Sequence, residues 1–223
     1  MAKLYIVATP IGNLEDITLR ALNVLKEADL ILCEDTRVTK KLLEHYQINK
    51  PVESYHQQSK LSKVKYILDL LKQGKNLALV SDSGTPGISD PGNKLIAQAK
   101  ELAQIIPVPG PNAAISAASV CGFSMSKFIF LGFPPHKNKR NKFLNEIAQS
   151  KYPVILYESP YRIIKTLKDL SKLGDFEIFI ARELTKKFET LYRGKINEVI
   201  NQIEPRGEFV VIIKKLPSGA KSI

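Results

Sequence analysis

The strongest constraint on this chain is an alternation of short apolar runs with polar or Gly/Pro-rich loops and amphipathic stretches. Lys3 to Ala8, Leu30 to Cys33, Val52 to Tyr55 and Leu77 to Val80 are the first four such runs. Leu77-Ala78-Leu79-Val80 is an uninterrupted apolar run that predicts a buried strand, and Leu30-Ile31-Leu32-Cys33 predicts another strand. Helices between strands predict parallel pairing through right-handed crossovers, and the expected fold class is α/β. Parallel strands send their following loops to one edge of the sheet, where ligands of open α/β sheets bind.

Five loops are expected at that edge. They are Thr9 to Asp16, Glu34 to Arg37, His56 to Lys60, Ser81 to Gly92, and Pro107 to Asn112. The fourth is the longest; it reads either as an ordinary long turn or as a functional loop, since loops much beyond about a dozen residues are uncommon unless functional. Its Gly84, Gly87 and Gly92 permit turns and close approaches that a β-carbon would block. Asp90-Pro91 reads as a helix start and Asp16 as the cap of a helix carrying Leu19, Leu22 and Leu25 on one face. Ala113 to Ala118 is a small-residue helix able to pack closely on a neighbour. Around Cys121-Gly122 the pattern resets, which predicts two domains, 1–121 and 122–223. In the second, Phe128 to Leu131, Val154 to Tyr157, Glu177 to Ala181 and Phe209 to Ile213 read as strands. A helix runs from Pro160 through Leu170, another covers Ile196 to Ile203, and the tail is expected to fray from Leu216.

The formal net charge of +11 favours a polyanionic partner such as nucleic acid. Cys33 and Cys121, the only cysteines, sit in apolar surroundings and predict reduced core thiols, as in a cytoplasmic protein. No apolar run is long enough to cross a bilayer. With two cysteines and three histidines in no ligand spacing, no metal site is expected. Neither a Walker motif nor G-x-G-x-x-G nor G-x-S-x-G is present, so nucleotide phosphate cradling and serine hydrolysis lack support. What remains is a wide pocket lined by main-chain polar groups, suited to a mid-sized ligand.

Seven segments in order carry a resemblance: Thr9-Pro10-Ile11-Gly12-Asn13-Leu14, Glu34-Asp35-Thr36-Arg37, Val80-Ser81-Asp82 with Gly84-Thr85-Pro86, Asp90-Pro91-Gly92, Pro109-Gly110-Pro111, Tyr157-Glu158-Ser159 and Ala181 to Thr185. Together they resemble the small-subunit ribosomal RNA methyltransferases of the tetrapyrrole-methylase superfamily. The resemblance implies two α/β domains of the tetrapyrrole-methylase type with S-adenosylmethionine in the cleft between them, a homodimer, and 2′-O-methylation of a cytidine ribose in the decoding region of 16S RNA. It implies cofactor contacts at Pro10, Asp82, Gly84, Thr85, Pro86, Ile88, Asn112 and Ala113, with Tyr157 and Leu184 covering the adenine side. Members often extend past the last strand, whereas this chain stops soon after Lys215.

A sulfonium methyl is already activated, so such an enzyme mainly aligns donor and acceptor and excludes water. If a proton acceptor is used, Glu34, Asp35 and His56 carry titratable groups at the expected cleft mouth. Arg37, Lys137, Lys139, Arg140 and Arg162 are the expected RNA contacts. Two other functions fit parts of the pattern. A methyltransferase for a tetrapyrrole-like small molecule would share the loops but not need the charge. A non-catalytic RNA-binding ribosome-assembly factor would need the charge but not the loops.

Overall fold

A computed structural model describes residues 1–216, and the expected frayed tail falls almost wholly outside them. The chain divides into two units, Met1–Asn112 and a second beginning at Ala113. The first is a five-stranded sheet in the order β3-β2-β4-β1-β5, built from β1 (Ala2–Val7), β2 (Leu30–Cys33), β3 (Val52–Ser54), β4 (Leu77–Val80) and β5 (Ala103–Val108). Every pairing in it is parallel. Side chains alternate between two cores. Tyr5, Val7, Ile31, Cys33, Ala78 and Val80 face α1 (Leu19–Glu27) and α2 (Thr36–His45). Leu4, Leu30, Leu32, Leu77 and Leu79 face α3 (Leu61–Lys72) and α4 (Asn93–Ala99). Two covered faces are why β2 and β4 are apolar at every position.

Local signals place two helix starts differently from expectation. Thr18, whose hydroxyl accepts from the Ala21 amide, caps α1 in place of Asp16. The helix therefore buries Ala21, Val24 and Leu25, and Leu19 is 80% exposed. Gly92 at φ +148° precedes α4, so Asp90 is left free of capping. Asp35 does cap α2, accepting from the Arg37 amide at 2.8 Å.

The second unit is a mixed sheet, β6-β7-β10-β8-β9, formed by β6 (Ile129–Gly132), β7 (Val154–Glu158), β8 (Phe176–Arg182), β9 (Thr190–Lys195) and β10 (Phe209–Lys215). Only β6 and β7 pair in parallel. Strand β9 has no counterpart in the sequence reading. Helices α6 (Arg140–Gln149), α7 (Ile163–Ser171) and α8 (Ile196–Val199) cover one face. The other face is covered by α5 (Ala113–Val120), whose Ala114 and Ala117 pack with Cys121 against Ile155, Phe179, Val210 and Ile212. That packing moves the boundary from the expected 121/122 to 112/113: the small-residue helix belongs to the sheet it contacts, not to the strand it follows. Among the described residues no helix is long and apolar enough to cross a membrane, and both cysteines are free and buried.

Candidate active site

At the carboxyl edge of the first sheet, three loops are stitched into one surface by main-chain hydrogen bonds. Thr9 after β1 and Gly84 after β4 exchange both backbone bonds, Thr9 N donating to Gly84 O at 2.9 Å and Gly84 N to Thr9 O at 3.1 Å. The buried Thr9 hydroxyl donates to Ser81 O at 3.1 Å, and the Ser81 hydroxyl turns back on Gly84 O at 3.2 Å. Thr85 Oγ1 donates to Pro111 O at 3.1 Å, which adds the loop after β5.

Two glycines make this approach possible. Gly84 has φ +81°, and a Cβ there would meet Ile11 Cγ2 at 3.3 Å. A Cβ on Gly110 would lie 3.0 Å from the Ala8 Cβ. Both positions hold backbone where a side chain would otherwise stand, which lets the loops approach this closely.

The loop after β2 brings carboxylates to the same edge. Asp82 Oδ1 accepts from the Asp35 backbone N–H at 2.9 Å, joining this loop to the one after β4. Burial pushes the Glu34 carboxyl up, the Asp82 charge adds to the push, and His56 and the Asp82 amide oppose it. Burial, then the negative charges of Glu34 and Asp82, push Asp90 up to about 7. Among the described residues no group of His, Cys, Asp and Glu could hold a metal ion.

The three candidate proton acceptors are thereby separated. Asp35 is committed: Arg37 Nη2 donates to its Oδ2 at 2.6 Å and Arg37 Nε to its Oδ1 at 3.0 Å. Side-chain and backbone bonds from Arg37 hold it down at about 2, so Asp35 is a helix cap and ion-pair partner and a poor base. Glu34 interacts electrostatically with Asp82, Asp90 and His56. Asp90 was missed because Asp-Pro before a helical pattern reads as a cap. An acidic residue inside a Gly/Pro loop that turns out not to cap was the available signal.

Of the expected cofactor positions, Pro10, Asp82, Gly84, Thr85, Pro86, Ile88 and Asn112 lie in the loops of the first unit. Ala113, Tyr157 and Leu184 fall in the second, where all three border the core between α5 and the sheet. Of the expected RNA contacts, Arg37 is 86% exposed, and Lys137 and Lys139 are exposed. Arg140 and Arg162 are turned inward. Arg140 donates to Thr166 Oγ1 at 2.8 Å and pairs with Asp169 at 3.5 Å, and its side chain is 8% exposed. Arg162 pairs with the fully buried Glu158 at 3.0 Å and donates to Pro134 O at 2.9 Å. Their surroundings make them struts of the second unit, a role a basic run in sequence cannot distinguish from a solvated one.

A two-unit α/β fold of this kind is found among solved methyltransferase structures. The solved structures share this fold: cobalt precorrin-4 methyltransferase CbiF matches with TM-score 0.71 at 20% identity, over 94% of each chain. The methyltransferase CobJ matches with TM-score 0.69 at 17% identity, over 100% of this chain and 97% of that one. The chain belongs to the tetrapyrrole (corrin/porphyrin) methylases, whose family model matches residues 3–200. Within the family it is 48% identical over 218 residues to the ribosomal RNA small subunit methyltransferase I of Thermotoga maritima, covering 96% of this chain and 98% of that protein. The protein of the same name from Bacillus subtilis is 44% identical over 220 residues, of which 75% of the length is covered. Relatives of both lengths therefore carry the same name.

Proposed function

We propose that this chain is an S-adenosylmethionine-dependent methyltransferase that 2′-O-methylates a cytidine ribose in the decoding region of 16S ribosomal RNA, working as a cytoplasmic homodimer. The observation that carries the reading is the three-loop surface knitted by Thr9, Gly84, Thr85 and Pro111. Relatives named for small-subunit RNA methylation at 44–49% identity favour RNA over a tetrapyrrole, since the corrin and porphyrin enzymes share only 15–20%. The net charge of +11 points the same way.

The residues present fit the methyl donor. It carries a sulfonium and an ammonium, and the edge supplies carboxylates at Asp82 and Glu34. Bound there, the donor supplies an electrophilic methyl carbon. Pro10, Gly84, Thr85, Pro86, Ile88 and Asn112 would hold it from the first unit, and the family resemblance also assigns Ala113, Tyr157 and Leu184 to the donor. Glu34 is the proton acceptor in this reading. With the donor bound, Glu34 would take the ribose hydroxyl proton at its carboxylate oxygen. Burial raises its pKa and so strengthens the carboxylate as a base, and the His56 charge opposes that rise. Arg37, Lys137 and Lys139 attract the RNA backbone.

The test is methyl transfer to small subunits lacking the modification, with the product nucleoside identified. A 2′-O-methylcytidine product supports the proposal. Methylation of a base, transfer to a porphyrinoid, or RNA binding without any donor affinity each refute it.

A further inference from the structure

β6 and β7 are parallel neighbours, so the segments that follow them leave the second sheet at one edge. Each exposes an aromatic ring within four residues of its strand. Phe133, directly after β6, is 54% exposed even though its ring lies 5.4 Å from that of Tyr157. Tyr161, just after β7, is 95% exposed. Large aromatic side chains rarely stand this open in pairs unless a partner covers them.

The scaffold beneath them is rigid. Arg162, adjacent to Tyr161, donates to the carbonyl of Pro134, adjacent to Phe133, at 2.9 Å. The same guanidinium pairs with Glu158 at 3.0 Å and reaches Ser159 Oγ at 3.2 Å. Glu158 also accepts from the Ser159 amide at 2.8 Å and from the Thr166 hydroxyl at 2.6 Å. A buried ion pair under an exposed edge fixes both segments before any partner arrives, which lowers the ordering cost of binding. Beyond Phe133 the same segment carries Lys137 and Lys139, both exposed and without an ion-pair partner among the described residues.

Open aromatic faces beside unpaired cations match one partner chemistry. Unpaired bases stack on rings while the phosphate backbone follows positive charge, whereas a duplex presents no free base faces. We propose that Phe133 and Tyr161 form a stacking platform for unpaired bases of the RNA substrate, with Lys137 and Lys139 drawing in its backbone. This rests on the RNA reading above and specifies it further: the strand is recognised where it is single-stranded.

The chain contains no tryptophan, so Phe133→Trp and Tyr161→Trp each create a sole reporter. Binding of an unstructured oligoribonucleotide and of small-subunit RNA is measured across a salt series, with donor affinity measured in parallel. The double Phe133→Leu/Tyr161→Leu variant is expected to bind RNA at least about tenfold more weakly with an unchanged salt slope, because stacking and not ion release is removed. Each tryptophan variant, which keeps an aromatic face at its position, is expected to hold the wild-type affinity, and its emission is quenched on binding. Where the leucine variant does not fold, the tryptophan quenching remains the deciding readout. Wild-type affinity in a folded leucine variant, absent quenching, an equal loss of donor affinity, or a dimer that dissociates in the leucine variant each overturns the platform. A wild-type chain that methylates RNA while any of these holds leaves the reading of function standing. A wild-type chain with no RNA affinity at any salt overturns both.

Discussion

The loop edges of the two sheets are held together by different means. In the first unit, bonds to main-chain carbonyls and glycines join the loops: the Thr9 and Gly84 backbones to each other, the Thr85 hydroxyl to Pro111 O, and Gly110 against Ala8. In the second, side-chain charge does the work, with Glu158 buried among Arg162, Ser159 and Thr166, and Arg140 bonded to Thr166 in turn. An edge tied through its backbone can turn its remaining amides and carbonyls toward a ligand. An edge tied through buried side chains instead becomes a stiff shelf for whatever projects from it. The first arrangement suits a small polar cofactor, and the second suits presentation of Phe133, Tyr161 and the lysines.

The sharpest way to break this contrast is to remove charge from the second edge. Glu158→Ala leaves Arg162 without its buried partner, and breaking such a pair costs about 3–5 kcal/mol, on the order of a 10 °C fall in Tm. A Tm within 2 °C of wild type, measured by circular dichroism, would mean that the ionic network is dispensable. Next in size is the pH response of the first edge. Asp90 has a folded pKa near 7, above its value in the unfolded chain, so the folded state holds the extra proton between about 4 and 7. Stability contributed by this group is therefore greatest below the unfolded pKa and falls as pH rises towards 7. Asp90→Asn should raise Tm at pH 8 by a few degrees and change it little at pH 4. An equal shift at both pH values would contradict the assignment.

Smaller effects are expected at the exposed cations. Replacing Lys137 and Lys139 by Ala should reduce the slope of log K against log salt for single-stranded RNA by about 1.4, from two lost phosphate contacts at about 0.7 each. An unchanged slope removes both from the RNA surface. Arg37→Ala is expected to leave Tm unchanged, since its ion pair with Asp35 stands in solvent. A clear drop would show that the pair holds α2 as well as the Asp35 cap does.

The same contrast explains how much of the molecule was legible in the sequence. The first sheet was, because strands buried on both faces must be apolar throughout and Leu30–Cys33 and Leu77–Val80 have no other role. Strand β9, Thr-Leu-Tyr-Arg-Gly-Lys, was not: it is an edge strand, half-exposed, with polar residues and a glycine that weaken the apolar signal. The domain boundary was misplaced because a small-residue helix gives no sign of which sheet it packs on; only Ala114 and Ala117 against Phe179 and Ile212 reveal it. The loops of the site were legible from their glycines. The different surroundings of Glu34, Asp35 and Asp90 were not, since they depend on Arg37 reaching Asp35 and on Asp90 being passed over as a cap.

The account rests on the first edge holding a methyl donor through its backbone, and calorimetric titration with S-adenosylhomocysteine tests that most directly. The wild-type chain is predicted to bind one equivalent per subunit. Gly84→Ala, which places a Cβ 3.3 Å from Ile11 Cγ2 at a φ of +81°, is predicted to bind at least about tenfold more weakly while still melting cooperatively. A wild-type chain that takes up no ligand, or a Gly84→Ala variant that binds as tightly as wild type, would contradict it.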